Sequence, residues 1–153
     1  MSAAARVAFV DLTFALRPHL ETLAREYLAE SGEVFDAARH GRTIDMLVAG
    51  DPIGRGWLIA VDGAVQGYIV VCLGFSIEYG GYDSFVDELY VRPSFRRQGL
   101  GRAALAHAEA YLRGRGVRTI HLEVDRGNMA ARGLYRRLGF ADHERILMSK
   151  DVS

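Results

Sequence analysis

Apolar and polar positions along this chain alternate, then cycle, then alternate again, and each change of period marks an element. Val7, Phe9 and Val10 give weak alternation within residues 1–14, which predicts a first strand. Pro18 suits the first turn of a helix, and Leu20, Leu23, Ala24, Tyr27 and Leu28 recur behind it at helical spacing. A second helix is predicted over residues 33–48, broken near Gly41, before Gly50, Pro52, Gly54 and Gly56 make a loop. Residues 57–61 read as a strand, Asp62-Gly63 is a strong hairpin signal, and residues 64–75 form a long second arm. A loop over residues 78–83 follows, then a strand over 84–91 that Arg92-Pro93 ends.

The pattern then changes. Residues 94–99 are polar and basic and run straight into a helix whose apolar stripe is Ala104, Leu105, Ala108, Tyr111 and Leu112. Gly114 and Gly116 close that helix, and residues 117–124 read as a strand. Asn128 sits where an N-cap belongs, ahead of a helix over 129–138, with Gly139 as its C′ residue and Phe140 packing back. Ile146 to Met148 suggests a short last strand. The order is mixed α/β with no internal repeat, linker or low-complexity tract, so residues 1–153 are expected to form a single domain.

Composition narrows the class. The 153 residues, half of them apolar, suffice for one core. The longest apolar run, residues 68–75, is far too short to span a bilayer, and nothing near Met1 reads as an export signal. One cysteine, Cys72, leaves no internal disulfide and suits a reducing, cytoplasmic compartment. The 19 basic and 19 acidic side chains remove any bulk-charge case for nucleic-acid binding. The charges are unevenly spread: up to Val91 six arginines face thirteen acids, and from Arg92 onward thirteen basic residues face six acids. Such a split suits a protein that holds an anionic ligand with one half and a cationic one with the other, although chance clustering gives the same count.

The most informative segment is Arg96-Arg97-Gln98-Gly99-Leu100-Gly101, between a strand and an amphipathic helix. Gly99 and Gly101 let the backbone turn tightly and approach a ligand, and the free N–H groups of the helix's first turn carry the positive end of its dipole. Arg96, Arg97 and Arg102 add charge at the rim. The segment fits a phosphate or pyrophosphate seat, and equally an ordinary glycine-containing turn. A Walker loop fails because no lysine and hydroxyl follow, and a Rossmann fingerprint fails because its third glycine and first-strand position are missing. The five histidines show no metal-ligand spacing and there is no nucleophile elbow, so no metal and no serine hydrolysis are expected.

Two runs, VDELYVRPSFRRQGLGRAAL (residues 86–105) and HLEVDRGNMAARGLYRRLGF (121–140), together resemble the GNAT superfamily of acyl-CoA-dependent N-acetyltransferases. The first fits its strand, short linker and Arg/Gln-x-x-Gly-x-Gly/Ala helix opening; the second fits its later Asn, Ala, Leu-Tyr and Gly-Phe elements. The resemblance implies a GNAT-like α/β fold: a central mixed, mostly antiparallel sheet, splayed at its middle strands and flanked by about four helices. It implies acetyl-CoA as donor, held by residues 96–102 (Arg96, Arg97, Gln98, Gly99, Leu100, Gly101 and Arg102) through backbone N–H groups. Leu89 and Val91 would offer main-chain bonds to the pantetheine, and an N–H near Leu89 or Tyr90 would stabilise the oxyanion, a donor worth about 3 kcal/mol. Asn128 would touch the pantetheine arm, besides or instead of capping its helix, and Tyr135 matches the tyrosine that protonates the departing thiolate.

An amine attacks only as the neutral form, yet its ammonium has a pKa near ~10, so a base must accept the proton. Asp87 and Glu88 both qualify. Alternation sends them to opposite faces unless a bulge intervenes, and Asp87 fits the family position better, with Glu88 or a water chain as the other options. Beside the loop, Glu78, Tyr79, Tyr82 and Asp83 mix acids with tyrosines, which suits an ammonium. The expected activity is acetyl transfer to a primary amine by direct attack in a ternary complex, the acceptor being a small cationic amine, such as a polyamine or aminoglycoside, or a peptide amine. The rival reading is a catalytically silent acyl-CoA sensor. No membrane or nucleic-acid partner is expected, and dimers being common among relatives leaves a homodimer open.

Overall fold

The computed structural model describes residues 5–153, so the first four residues of the segment expected to lead into the first strand lie outside it. The chain divides into two compact units, residues 1–123 and 124–153. The larger holds a five-stranded sheet in chain order: β1 (Val7–Asp11), β2 (Gly54–Val61), β3 (Ala64–Ser76), β4 (Gly81–Val91) and β5 (Thr119–Leu122). All neighbours pair antiparallel except β4 with β5, which are parallel. Its helices are α1 (Arg17–Glu30), α2 (Arg39–Ala49) and α3 (Leu100–Gly114); the smaller unit holds α4 (Met129–Arg137). The sheet is mixed and mostly antiparallel, as the resemblance implies, and within the larger unit three helices flank it.

Two apolar layers cover the sheet. On one face Leu20 and Leu23 of α1 and Ile44 and Val48 of α2 pack on Leu58, Tyr68, Val70 and Tyr90. Toward the other face α3 buries Leu100, Ala104, Leu105, Ala108 and Leu112, and its His107 and Tyr111 rings meet Trp57 edge-on. Alternation makes both layers: Leu58 and Tyr68 project to one side of the sheet, Trp57 and Ile69 to the other. Asp62 and Gly63, both at positive φ, form the tight β2–β3 turn that their sequence predicts.

Four expectations are corrected. β2 begins at Gly54, so Gly54 and Gly56 are strand rather than loop residues, because pairing with β3 extends to Cys72 opposite Gly54. The second helix begins at Arg39 because Asp36 Oδ1 accepts the Ala38 and Arg39 N–H groups at 2.8 and 2.9 Å, and it runs unbroken through the buried Gly41, where the Arg17 guanidinium passes close. β4 begins at Gly81, so Tyr82 and Asp83 are strand rather than loop residues, because pairing with β3 extends to Ser76 opposite Gly81. Residues 146–148 form no strand: the unit containing them has no other strand to pair with, and a lone strand leaves its N–H and C=O groups unsatisfied.

Within the smaller unit the capping expectations hold. Asn128 Oδ1 accepts the Ala131 N–H at 3.1 Å, Gly139 takes φ 94°, and the Phe140 N–H bonds the Tyr135 carbonyl while the two rings lie 5.8 Å apart. Arg136 and Arg132 grip Asp142 and pull its carboxyl down to about 2.

Gly67 fixes how closely β3 approaches the end of β4, since a Cβ there would stand 2.3 Å from the Tyr90 carbonyl oxygen. Gly67→Ala is expected to cost about 1–3 kcal/mol, the usual cost of overpacking. A urea midpoint equal to that of the unaltered protein would show that the strands part freely.

Candidate active site

β4 holds both candidate carboxylates, and its pairing is interrupted beside them. Val70 of β3 stands opposite Glu88, but Val71 stands opposite Val86, so Asp87 is an extra residue with no partner of its own. This β-bulge reverses the alternation. Val86 and Leu89 now face the α3 side, whereas Glu88 and Tyr90 face α1 and α2. The charge of Asp87 acts on Glu88, Tyr68 and Cys72, and the latter two share that same face of β3. The bulge therefore turns both carboxylates toward one side instead of opposite sides.

The two carboxylates differ in surroundings. Glu88 is half-buried and accepts a hydrogen bond from the Tyr68 hydroxyl at 2.8 Å. Burial, then the charge of Asp87, raises its pKa, against the Tyr68 bond and the nearby His40, which lower it. Asp87 keeps solvent access, yet the protein atoms crowded around it displace enough water to raise its pKa as well. Tyr68 itself is buried, and its hydroxyl is pushed well above the ordinary range by burial and by Glu88.

Beside the bulge the sheet opens. β5 pairs with β4 only from Asp83 to Val86, so from Asp87 onward that edge of β4 has no strand partner among the described residues. The sheet thus splays between β4 and β5, the last two of its five strands, and Leu89 and Val91 lie along the opening. β4 leads through a short 3-10 turn (Pro93–Phe95) into the glycine loop. Between the Arg96 N–H, which bonds the Pro93 carbonyl, and the Ala103 N–H, which bonds Gly99, the amides of residues 97–102 donate to no backbone carbonyl among the described residues. Gly99 at φ 80° makes the bend, and a Cβ placed on it would meet nothing within 4 Å. The donors, the α3 dipole and the exposed Arg97 and Arg102 side chains fit a diphosphate.

The remaining predicted residues divide. Tyr79 and Asp83 come together around a residue that sequence reasoning set aside, His121: its Nε2 lies 3.3 Å from Asp83 Oδ2, and its ring 4.7 Å from that of Tyr79. Tyr82 faces the other way, edge-on to Phe75 at 6.0 Å and beside Gly116. Glu78 lies in the turn between β3 and β4. His121 could have been found from sequence only by knowing that it pairs with Phe85 across the sheet. Tyr68 and His40 were missed for the same reason, since what matters about each is its proximity to Glu88. Tyr135, in the smaller unit, is half-buried with its pKa raised by burial, and the Asn128 side-chain oxygen serves as the α4 cap. Among the described residues no group of three or more His, Cys, Asp or Glu side chains could hold a metal, and no helix is long and apolar enough to cross a membrane. A cavity of about 540 Å³ beside α1, lined by Leu16, His19 and Leu58 among others, includes neither carboxylate, so chemistry rather than volume marks this site.

Comparison with known proteins agrees with the geometry. The model of the acetyltransferase (GNAT) family matches residues 19–140. The ribosomal protein bS18-alanine N-acetyltransferase of Escherichia coli K12 is 54% identical over 50 residues, 33% of this chain and 34% of that protein. Streptothricin acetyltransferase of Streptomyces lavendulae is 32% identical over 85 residues, 54% of this chain and 42% of that protein. The chain thus spans about a third to two-fifths of the length of these curated relatives. An integron cassette protein from the mobile metagenome of Cole Harbour salt marsh matches with TM-score 0.83 at 34% identity, over 95% of this chain and 90% of that one.

A carboxylate whose folded-state pKa is raised destabilises the fold once ionised, and the penalty disappears below its unfolded pKa, near ~3.9 for aspartate. Asp87→Asn is therefore expected to raise the thermal midpoint at pH 7.5, with the gain shrinking as pH falls toward about 4. A midpoint that drops at pH 7.5 would contradict the desolvation of Asp87.

Proposed function

Because this chain belongs to the acetyltransferase (GNAT) family, we propose that it transfers an acetyl group from acetyl-CoA to a primary amine by direct attack in a ternary complex. One observation carries the reading: the amides of residues 97–102, with no backbone carbonyl partner among the described residues, lead into α3 soon after a bulged strand that turns two carboxylates to one face. Acetyl-CoA supplies an activated thioester. The backbone N–H groups of residues 97–102, with the loop held by Arg96, Gln98, Gly99, Leu100 and Gly101, bind its diphosphate, and Leu89, Tyr90 and Val91 offer main-chain groups to the pantetheine and thioester. Asn128 contributes to the pantetheine arm through its amide nitrogen, its oxygen being engaged in the cap.

Asp87 is the better placed general base, since it reaches solvent while Glu88 is held by Tyr68. Asp87 first takes a proton from the ammonium, and the neutral amine then forms the C–N bond. As the C–S bond breaks, Tyr135 gives its proton to the departing sulfur. The new amide nitrogen releases its second proton to water, and solvent restores the Tyr135 hydroxyl and the Asp87 carboxylate. No nucleophile with an activating base is needed. The acceptor is a cationic amine: Asp83, Asp87 and Glu88 supply negative charge, and Tyr79 an aromatic surface. The names of two relatives point one to a protein's alanine and the other to streptothricin, so both peptide and small-molecule amines belong in the test. Residues 1–153 act in this proposal as one catalytic domain, which the family match over residues 19–140 supports.

Thiol release from acetyl-CoA, measured across polyamines, aminoglycosides and peptides, tests the activity. Binding of acetyl-CoA with no release against any amine would favour the silent sensor. Asp87→Asn is expected to lower kcat/KM by about 100-fold or more, and more than Glu88→Gln does. The acid limb of the pH profile is expected above the ordinary aspartate range, because a raised pKa lets the base protonate, and the rate fall, at a higher pH. Tyr135→Phe is expected to lower kcat far more than acetyl-CoA affinity, and equal losses in both would remove its role as acid.

A further inference from the structure

Arg96 opens the glycine loop, and a guanidinium there would ordinarily be assigned to the phosphates. Its contacts are elsewhere. Nη2 lies 2.7 Å from both carboxylate oxygens of Glu30 on α1, and Nε donates to the Val91 carbonyl at the end of β4 at 2.7 Å. The guanidinium also lies over the Tyr90 ring, 5.6 Å from its centroid. The residue opening the preceding 3-10 turn repeats the arrangement one helical turn earlier: Arg92 donates to both oxygens of Glu26 at 2.8 and 2.9 Å and to the Val65 carbonyl at 3.2 Å. The Tyr90 hydroxyl lies between the two glutamates, 3.3 Å from Glu26 and 3.4 Å from Glu30. Both ends of the Pro93–Phe95 turn are thus tied to one face of α1.

The next residue shows why such a tie matters. Arg97 takes φ 61°, one of two non-glycine residues at positive φ among the described residues; the other, Asp62, is in a hairpin turn that favours it. The left-handed region crowds the Cβ of an L residue, so Arg97 persists there only if its neighbours hold it. Burial does little of this, because residues 96–99 are exposed and the next buried side chain is Leu100. The Arg96 bridge supplies the fixed point on the N-terminal side of the strained residue. The side chains of Arg97 and Arg102 are exposed and form no ion pair among the described residues, which leaves them to face an anion.

We propose that Arg96 is a positioning residue: bridging Glu30 of α1 to the Val91 carbonyl, it holds left-handed Arg97 and the amide run behind it ready for the donor's diphosphate. This rests on the reading of the loop as the acetyl-CoA seat. Positioning and direct charge contact predict opposite signs for the loss of Glu30. If Arg96 met the phosphates, removing Glu30 would free its guanidinium and remove a repulsive charge, so the donor would bind equally or more tightly. If Arg96 positions the loop, removing Glu30 loosens it and weakens binding.

Titration calorimetry with acetyl-CoA on the full chain separates these. Glu30→Ala and Arg96→Ala are each expected to weaken acetyl-CoA about fivefold or more, and to raise its KM while the acceptor's KM stays within about twofold. In an Arg97→Gly background, where glycine takes positive φ without strain, Glu30→Ala is expected to cost less than about twofold. That dependence on residue 97 is a readout that general destabilisation does not give. Unchanged or tighter binding by Glu30→Ala overturns the inference, as does a loss of the same size in the glycine background. If the unaltered protein binds no acetyl-CoA, the functional reading itself falls; if it binds and the variants behave otherwise, only the role of Arg96 does.

Discussion

β4 has to satisfy β3 along its whole length while abandoning β5 halfway, and the site follows from that unequal pairing. Its four residues from Asp83 to Val86 are paired on both sides, where Ser84 and Val86 are buried. Beyond them the bulge at Asp87 shifts the register with β3 by one residue, and β5 ends. A residue left out of a ladder forgoes its hydrogen bonds and twists the strand locally. Here the loss is offset by the buried neighbours on either side, Val86 and Tyr90, and by continued pairing with β3. The same break exposes a strand edge, gathers two carboxylates on one face and directs the following loop into a helix N-terminus.

Charge is organised around that break in a way the totals conceal. The excess of acids before Val91 and of basic residues after it suggests two oppositely charged ligand surfaces. In the fold, much of that excess is internal wiring. Glu26 and Glu30 are engaged with Arg92 and Arg96, and Asp11 with Arg55. Arg92 holds the Glu26 carboxyl below its usual range, as expected of a carboxylate accepting two charge-assisted bonds. Asp87 and Glu88 are the contrast, since each has its pKa raised by burial. Groups that make the fold less stable when ionised, standing beside paired groups of the same type, are a common mark of a functional site.

Glycine and capping chemistry was readable without a structure wherever the deciding atoms are close in sequence. Asp62-Gly63, Asn128, Gly139 and the bend at Gly99 all adopt the conformations that their residue types favour. The α1 and α3 stripes were equally plain, because helical periodicity repeats within one element. The failures share a cause. Gly41 suggested a break, but tertiary packing against α1 outweighed its weak helix propensity. Tyr82 and Asp83 looked like loop residues because only β3, through Ser76, draws them into a strand.

What the sequence determined by itself was the order of elements, the sheet-and-helix class, and a glycine bend at the start of α3, since each depends on backbone preferences within a few residues. Tertiary structure alone decided which way Asp87 and Glu88 point, that His121 joins Asp83 and Tyr79, and that Arg96 reaches back to Glu30. A bulge is a mismatch between two strands, so neither strand's sequence contains it. The Arg96–Glu30 pair spans 66 residues, and only the docking of α1 on the sheet brings the charges within bonding distance.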